Sequence, residues 1–135
     1  MKLNIKKYIR VIAIDDDFIN HTICRHVVKA VNSDLEVLTF NIPEIGFEFI
    51  QNNYATNDGA TLTLLLLDIN MPTWSGWDFL DHFEELDEHI KKQIKICILS
   101  SSVNLSDRER AAENKNVAAY IQKPLTKDKL IESLT

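Results

Sequence analysis

Two rhythms of apolar residues alternate along the chain. Short aliphatic runs are followed by stretches in which apolar residues recur every three or four positions, and the alternation repeats five times. Ile9–Ile14 (IRVIAI) reads as a strand. Phe18, Ile19, Ile23, Val27, Ala30 and Val31 then mark one face of an amphipathic helix. Leu35–Phe40 is a second strand, and Pro43 suits the first turn of a helix reaching about Asn53, where its missing N–H costs nothing. The stretch Asn52–Thr61 (NNYATNDGAT) is a polar loop, after which Leu62–Leu67 is almost unbroken apolar chain, as in a strand buried on both faces. Trp77, Leu80, Phe83 and Leu86 fit one face of a third helix, and Ile94, Ile96 and Ile98 alternate with Lys95, Cys97 and Leu99 in a fourth strand. Ser106-Asp107-Arg108-Glu109 has the form of a capping box opening a short fourth helix. Val117–Ile121 is a fifth strand, and Thr126 caps a last helix carrying Leu130, Ile131 and Leu134.

Five β/α alternations predict one α/β domain over residues 1–135: a doubly wound (βα)5 three-layer sandwich around a five-stranded parallel sheet, with right-handed crossovers. A hydrophobic fraction of 45% supplies a core of that size. The net charge of −5 excludes an electrostatic nucleic-acid binder, which needs clustered Lys and Arg, so no direct nucleic-acid binding is expected. No apolar run approaches the ~20 residues of a membrane span. Met1–Tyr8 holds three lysines with no apolar stretch behind them, so no signal peptide is read. Cys24 and Cys97 both lie in apolar segments and read as buried free thiols suited to a reducing cytoplasm.

Parallel sheets of this kind place their chemistry at the carboxyl ends of the strands. The residues just past those ends are Asp15-Asp16-Asp17, Asp68, Ser100-Ser101-Ser102 and Lys123-Pro124. Crowded carboxylates repel one another unless a cation compensates, and Asp15, Asp16 and Asp68 suit a small hard ion with oxygen ligands, Mg2+. An aspartate there is also a nucleophile for phosphorus, with Lys123 and the Ser100 hydroxyl placed to stabilise phosphoryl oxygens. Other residues read as structural. Asp17 is a helix cap, Met71-Pro72 shapes a loop, Ser101 and Ser102 are structural or solvent-facing, and His21, His26, His82 and His89 lie on solvated helix faces without metal-ligand spacing.

The segments AIDDDF, LLLLDINMPTWSGW, CILSSS and AYIQKPLT, in this order from Val11 to Leu134, resemble the receiver domain of bacterial two-component response regulators, of flavodoxin-like fold. The resemblance implies that Asp68 accepts a phosphoryl group from a histidine kinase or histidine phosphotransfer protein. It makes Asp15 and Asp16 the acidic pair, with Asp16 the closer ligand of Mg2+, joined by Asp68 and the backbone carbonyl of Asn70. Ser100 stands at the family's switch hydroxyl, Tyr120 at its rotating aromatic, and Lys123 at its site lysine. Such a chain catalyses only its own phosphorylation and dephosphorylation. Read as a stand-alone receiver, it passes its signal by protein contact, through the face of the fourth helix, fifth strand and last helix, or by phosphoryl transfer. Ser75 replaces the usual Asp before the motif's glycine, Asp17 adds a third acid, the Asn52–Thr61 loop is long, and Trp74 in its loop suggests a partner contact. Two other classes are weighed. A small dehalogenase-type phosphatase would use Asp15 as nucleophile but leaves Asp68 unexplained, and a flavodoxin-like electron carrier would need a phosphate loop after the first strand that is not present.

Overall fold

Alternate side chains of each central strand feed two separate cores, which is why helices cover both faces of the sheet. The computed structural model describes residues 8–57, 59 and 61–135. The start Met1–Tyr8, apart from Tyr8, and Asp58 and Ala60 of the polar loop lie outside the described residues. Five strands, β1 (Tyr8–Ile14), β2 (Glu36–Phe40), β3 (Leu62–Leu67), β4 (Ile94–Ser100) and β5 (Val117–Gln122), form one parallel sheet in the order β2-β1-β3-β4-β5. Between and after them run α1 (Phe18–Val31), α2 (Pro43–Tyr54), α3 (Gly76–Glu84), α4 (Glu88–Lys91), α5 (Leu105–Glu113) and α6 (Lys127–Leu134). On one face Val11, Ala13, Leu64, Leu66, Cys97 and Leu99 pack with Cys24 and Val28 of α1 and Leu130 and Leu134 of α6. On the other, Ile12, Ile14, Leu65, Leu67, Ile96 and Ile98 meet Ile50 of α2, Phe79 and Phe83 of α3 and Ala111 of α5. Each fully buried Leu, Ile or Phe is worth roughly 1.5–3 kcal/mol, so the expected three-layer sandwich is held chiefly from its two cores.

Several local expectations are corrected. The short helix α4 was not anticipated. It is a single turn of four residues, anchored by buried Ile90, and too short to show a helical period. Helix α5 begins before Ser106. Its N-cap is Asn104, whose Oδ1 accepts from the Ser106 N–H at 3.0 Å and from the Ser106 hydroxyl at 2.8 Å, so Ser106 is the residue being capped. Trp74, in its loop as expected, also packs within its own chain. It is half-buried, stacked on His82 with ring centroids 4.2 Å apart and set edge-on to Phe47 of α2. Thr73 donates to Glu44 at 2.8 Å, so the whole β3–α3 loop is fastened to α2 and α3. Helix α2 extends to Tyr54, taking the first residues of the expected polar loop.

Candidate functional site

Strand order reverses between β1 and β3, and the crevice at that point carries the acids. The parallel ladder continues one residue past both strands: Asp15 N–H donates to Phe40 O and Asp68 N–H to Ile14 O, each at 3.0 Å. Asp15 and Asp68 therefore lie side by side at one level. One oxygen each of Asp15, Asp16 and Asp68 falls within 4.8 Å of the others. Lys123 follows β5, its N–H bonded to the Ser100 carbonyl at 2.8 Å, and its ammonium reaches across β4 to Asp15 Oδ2 at 2.7 Å and Asp68 Oδ2 at 3.7 Å. Of the expected site residues, Asp15, Asp16, Asp68 and Lys123 are thus brought together. Ser100 is buried at the end of β4, and Asn70 lies exposed two residues beyond Asp68.

Burial, and next to it the charge of Asp15, raise the Asp68 carboxyl from 3.8 to about 6. Lys123 and the N–H groups of Asn70 and Ile69 only partly oppose the rise. For Lys123, burial works against the cation, but the hydrogen bond to Asp15 and the Asp68 charge outweigh it and hold its pKa above the ordinary value. Burial, then the Asp15 charge, push the Cys24 thiol behind the site up to about 12, which makes it inert packing as expected.

The donor set fits a hard divalent cation. Three carboxylates converge with one ammonium to balance them. Asp16 is exposed and its carboxylate accepts no hydrogen bond among the described residues, and Asp68 keeps Oδ2 beyond hydrogen-bond range of Lys123. Asp15 differs. Its Oδ1 accepts from the Asp17 N–H at 2.9 Å, and its Oδ2 from both Asn20 at 2.8 Å and Lys123. A carboxylate so occupied is a poor nucleophile, which weighs against a dehalogenase-type mechanism through Asp15.

Helix α1 corrects the reading of its first turn. Asp17 caps it as expected, through the Ile19 N–H at 2.9 Å. Phe18 and Ile19, assigned to the apolar face, are 69% and 71% exposed, whereas His21, assigned to solvent, is 3% exposed. This turn leans on the end of β1, where the neighbours to be satisfied are polar. His21 Nε2 lies 2.7 Å from the Asp15 carbonyl, which only accepts, so Nε2 carries the proton. Its Nδ1 is buried without a partner among the described residues. Asn20, which the periodicity passed over, is buried on Asp15 for the same reason.

Ser75 caps α3 in a reciprocal box with Asp78, a role that a hydroxyl fills as well as an acid. The next residue, Gly76, packs directly on the site backbone. A Cβ at Gly76 would sit 2.5 Å from the Asp68 carbonyl oxygen and 2.8 Å from Ile69 Cα. Gly76→Ala is therefore expected to lose about 1–3 kcal/mol of stability, read as a lower urea midpoint at unchanged slope. A midpoint equal to wild type would show that the β3–α3 backbone yields without cost.

Ser100 Oγ accepts from the Ser102 N–H at 3.1 Å, and the Ser102 carbonyl in turn accepts from the Tyr120 hydroxyl at 2.9 Å. The Tyr120 ring lies beneath the Arg108 guanidinium, 4.7 Å from ring centroid to Cζ. Ser102 is structural, as expected, holding Asp107 at 2.7 Å and the Asn104 N–H.

A family model described as the response regulator receiver domain matches residues 11–135. Among solved structures, the chain is 27% identical to a two component response regulator from Cytophaga hutchinsonii, covering 92% of each chain with a TM-score of 0.82. It is 25% identical to a response regulator receiver protein from Dyadobacter fermentans, covering 93% of this chain and 94% of that one with a TM-score of 0.80. A chemotaxis protein from Vibrio cholerae, 19% identical over 94% of this chain and 96% of its own, shares the fold with a TM-score of 0.72. No curated protein matches the chain. No helix among the described residues is long and apolar enough to cross a membrane.

Proposed function

The chain belongs to the response regulator receiver domain family, and from that premise we propose that it is a phosphoacceptor switch of a two-component phosphorelay with Asp68 as the acceptor. The observation that carries this reading is the convergence of Asp15, Asp16 and Asp68 with Lys123 at the carboxyl edge of the sheet. A carboxylate oxygen of Asp68 attacks the phosphorus of a phosphohistidine on a kinase or phosphotransfer protein. The P–N bond breaks as the P–O bond forms, and the leaving imidazole takes up a proton. Mg2+ on Asp16, Asp68 and the Asn70 carbonyl would neutralise charge on the transferring group. Lys123, already a held cation, pairs with a phosphoryl oxygen. The partner upstream is thus a histidine kinase or phosphotransfer protein, and the working compartment is the cytoplasm. The chain acts on itself rather than on a separate substrate. Intact-mass measurement after incubation with acetyl phosphate and Mg2+ tests the reading. A gain of one phosphoryl group supports it, and no gain at any Mg2+ concentration overturns it.

Lys123→Arg is expected to accept the phosphoryl group yet transmit it poorly, because a planar fork does not replace a compact ammonium between two carboxylates. Partner affinity of the phosphorylated variant equal to that of phosphorylated wild type would remove Lys123 from the transmission step.

The hydrogen bonds from Ser100 through Ser102 to Tyr120 supply a route outward. The phosphoryl group adds negative charge beside the buried Ser100 hydroxyl, which turns to donate to it. That motion draws on the Ser102 N–H and, through the Ser102 carbonyl, on the Tyr120 hydroxyl, changing the α5-β5-α6 face where a downstream protein docks. Ser100→Ala should phosphorylate as wild type but lose at least about tenfold of the affinity gained for a partner, within the usual range of coupling energies. Titration with and without beryllofluoride checks this. Equal gains in both proteins would leave Tyr120 as packing.

A further inference from the structure

We propose that Asn20 is a positioning residue that decides which carboxylates meet the cation, by committing Asp15 to Lys123 and leaving Asp16 and Asp68 as direct ligands. The inference rests on the phosphoacceptor reading of the site and adds to it a residue outside the motifs that carry the resemblance. Asn20 lies in the first turn of α1, is 4% exposed, and donates through Nδ2 to Asp15 Oδ2 at 2.8 Å. The same oxygen accepts from Lys123 Nζ at 2.7 Å, while Oδ1 is held by the Asp17 N–H at 2.9 Å. His21, the next residue, grips the carbonyl of the same aspartate at 2.7 Å. Consecutive residues of one helical turn thus fix both the side chain and the backbone of Asp15.

A carboxylate has about four lone-pair sites, and three of those on Asp15 are occupied. Asp16 accepts no hydrogen bond among the described residues, and the Oδ2 of Asp68 has Lys123 no nearer than 3.7 Å. Free lone pairs are what a hard cation takes, so the hydrogen-bond pattern sorts three similar acids into one lysine holder and two ligands. Removing the Asn20 donor frees one site on Asp15 Oδ2 and loosens its hold on Lys123. Asp15 then competes for the cation as a third direct carboxylate, and affinity rises with the number of charged ligands. Lys123, less well placed, serves phosphoryl transfer less well.

The two effects have opposite signs, which a merely structural asparagine would not produce. The test uses Asn20→Leu, which keeps the volume and removes the donor, and Asn20→Ala. Mg2+ affinity is read by calorimetry, the phosphorylation rate by intact mass with acetyl phosphate, and integrity by thermal melting in EDTA. The expected result is Mg2+ binding roughly threefold to tenfold tighter than wild type with phosphorylation roughly tenfold slower. Mg2+ binding weakened or unchanged in a variant that melts like wild type overturns the proposal. So does the failure of both variants to fold, which would make Asn20 a structural residue. If wild type binds Mg2+ but takes up no phosphoryl group, the phosphoacceptor reading fails, while the Mg2+ affinities still decide the role of Asn20.

Discussion

Asp68→Asn is expected to gain no phosphoryl mass under conditions in which wild type gains one group, and wild type in EDTA is expected to lose the gain almost completely. The site holds three acids, and on the proposed reading Asp68 is the one equipped as acceptor. Asp15 is occupied by Asp17, Asn20 and Lys123. Asp16 is exposed and forms no ion pair among the described residues. Asp68 is buried and faces Lys123 across 3.7 Å, and its Oδ2 accepts no hydrogen bond among the described residues. Desolvation matters here, because a carboxylate stripped of water is the better nucleophile once its charge is balanced by the cation and the lysine. Dependence on the metal follows from the same crowding, since an approaching phosphoryl group adds anionic oxygens to a pocket already rich in them. Intact mass after acetyl phosphate treatment reads both results. A phosphoryl group retained in Asp68→Asn would move the acceptor to Asp15 or Asp16.

The second large effect runs opposite to ordinary intuition about mutating a site residue: in EDTA at neutral pH, Asp68→Asn should be more stable than wild type. Burial first and Asp15 second raise the Asp68 carboxyl from 3.8 to about 6. The folded chain therefore holds this proton more tightly than the unfolded one. Below about pH 4 both states carry it and there is no penalty. As pH climbs from about 4 to 6 the unfolded state ionises freely and the folded state against resistance, so stability falls. Above about 6 the cost is fully present. Full linkage would amount to at most about 3 kcal/mol. Urea unfolding of both proteins from pH 4 to 8 should show a difference that opens through this window and narrows when Mg2+ is added. A constant difference across the range would place its origin outside the Asp68 carboxyl.

Much of the site was legible in the chain because strand ends are local signals. The runs Ile9–Ile14, Leu62–Leu67 and Ile94–Leu99 end where polarity changes abruptly, and of the residues just past those ends the sheet gathers Asp15 and Asp68, with Ser100 buried at the end of β4. The Asp17 cap was equally readable, since its partner lies two residues away. The single turn of α4, anchored by one buried Ile, is shorter than a helical period and was not readable. The Asn104 cap of α5 also has its partner two residues away, but the Ser106–Glu109 spacing mimics a capping box and masked it.

The sequence by itself determined that there would be five strands, which acids and which lysine would sit past their ends, and that both faces would be covered, because hydrophobic periodicity and strand length are properties of neighbours along the chain. Only the tertiary structure decided how those residues are used. The exposure of Phe18 and Ile19, the burial of Asn20 and His21 on Asp15, and the packing of Trp74 on His82 all depend on which element lies against which. A polar side chain is buried where a partner waits to satisfy it, and that partner is fixed by the arrangement of the whole sheet and its helices rather than by any spacing along the chain.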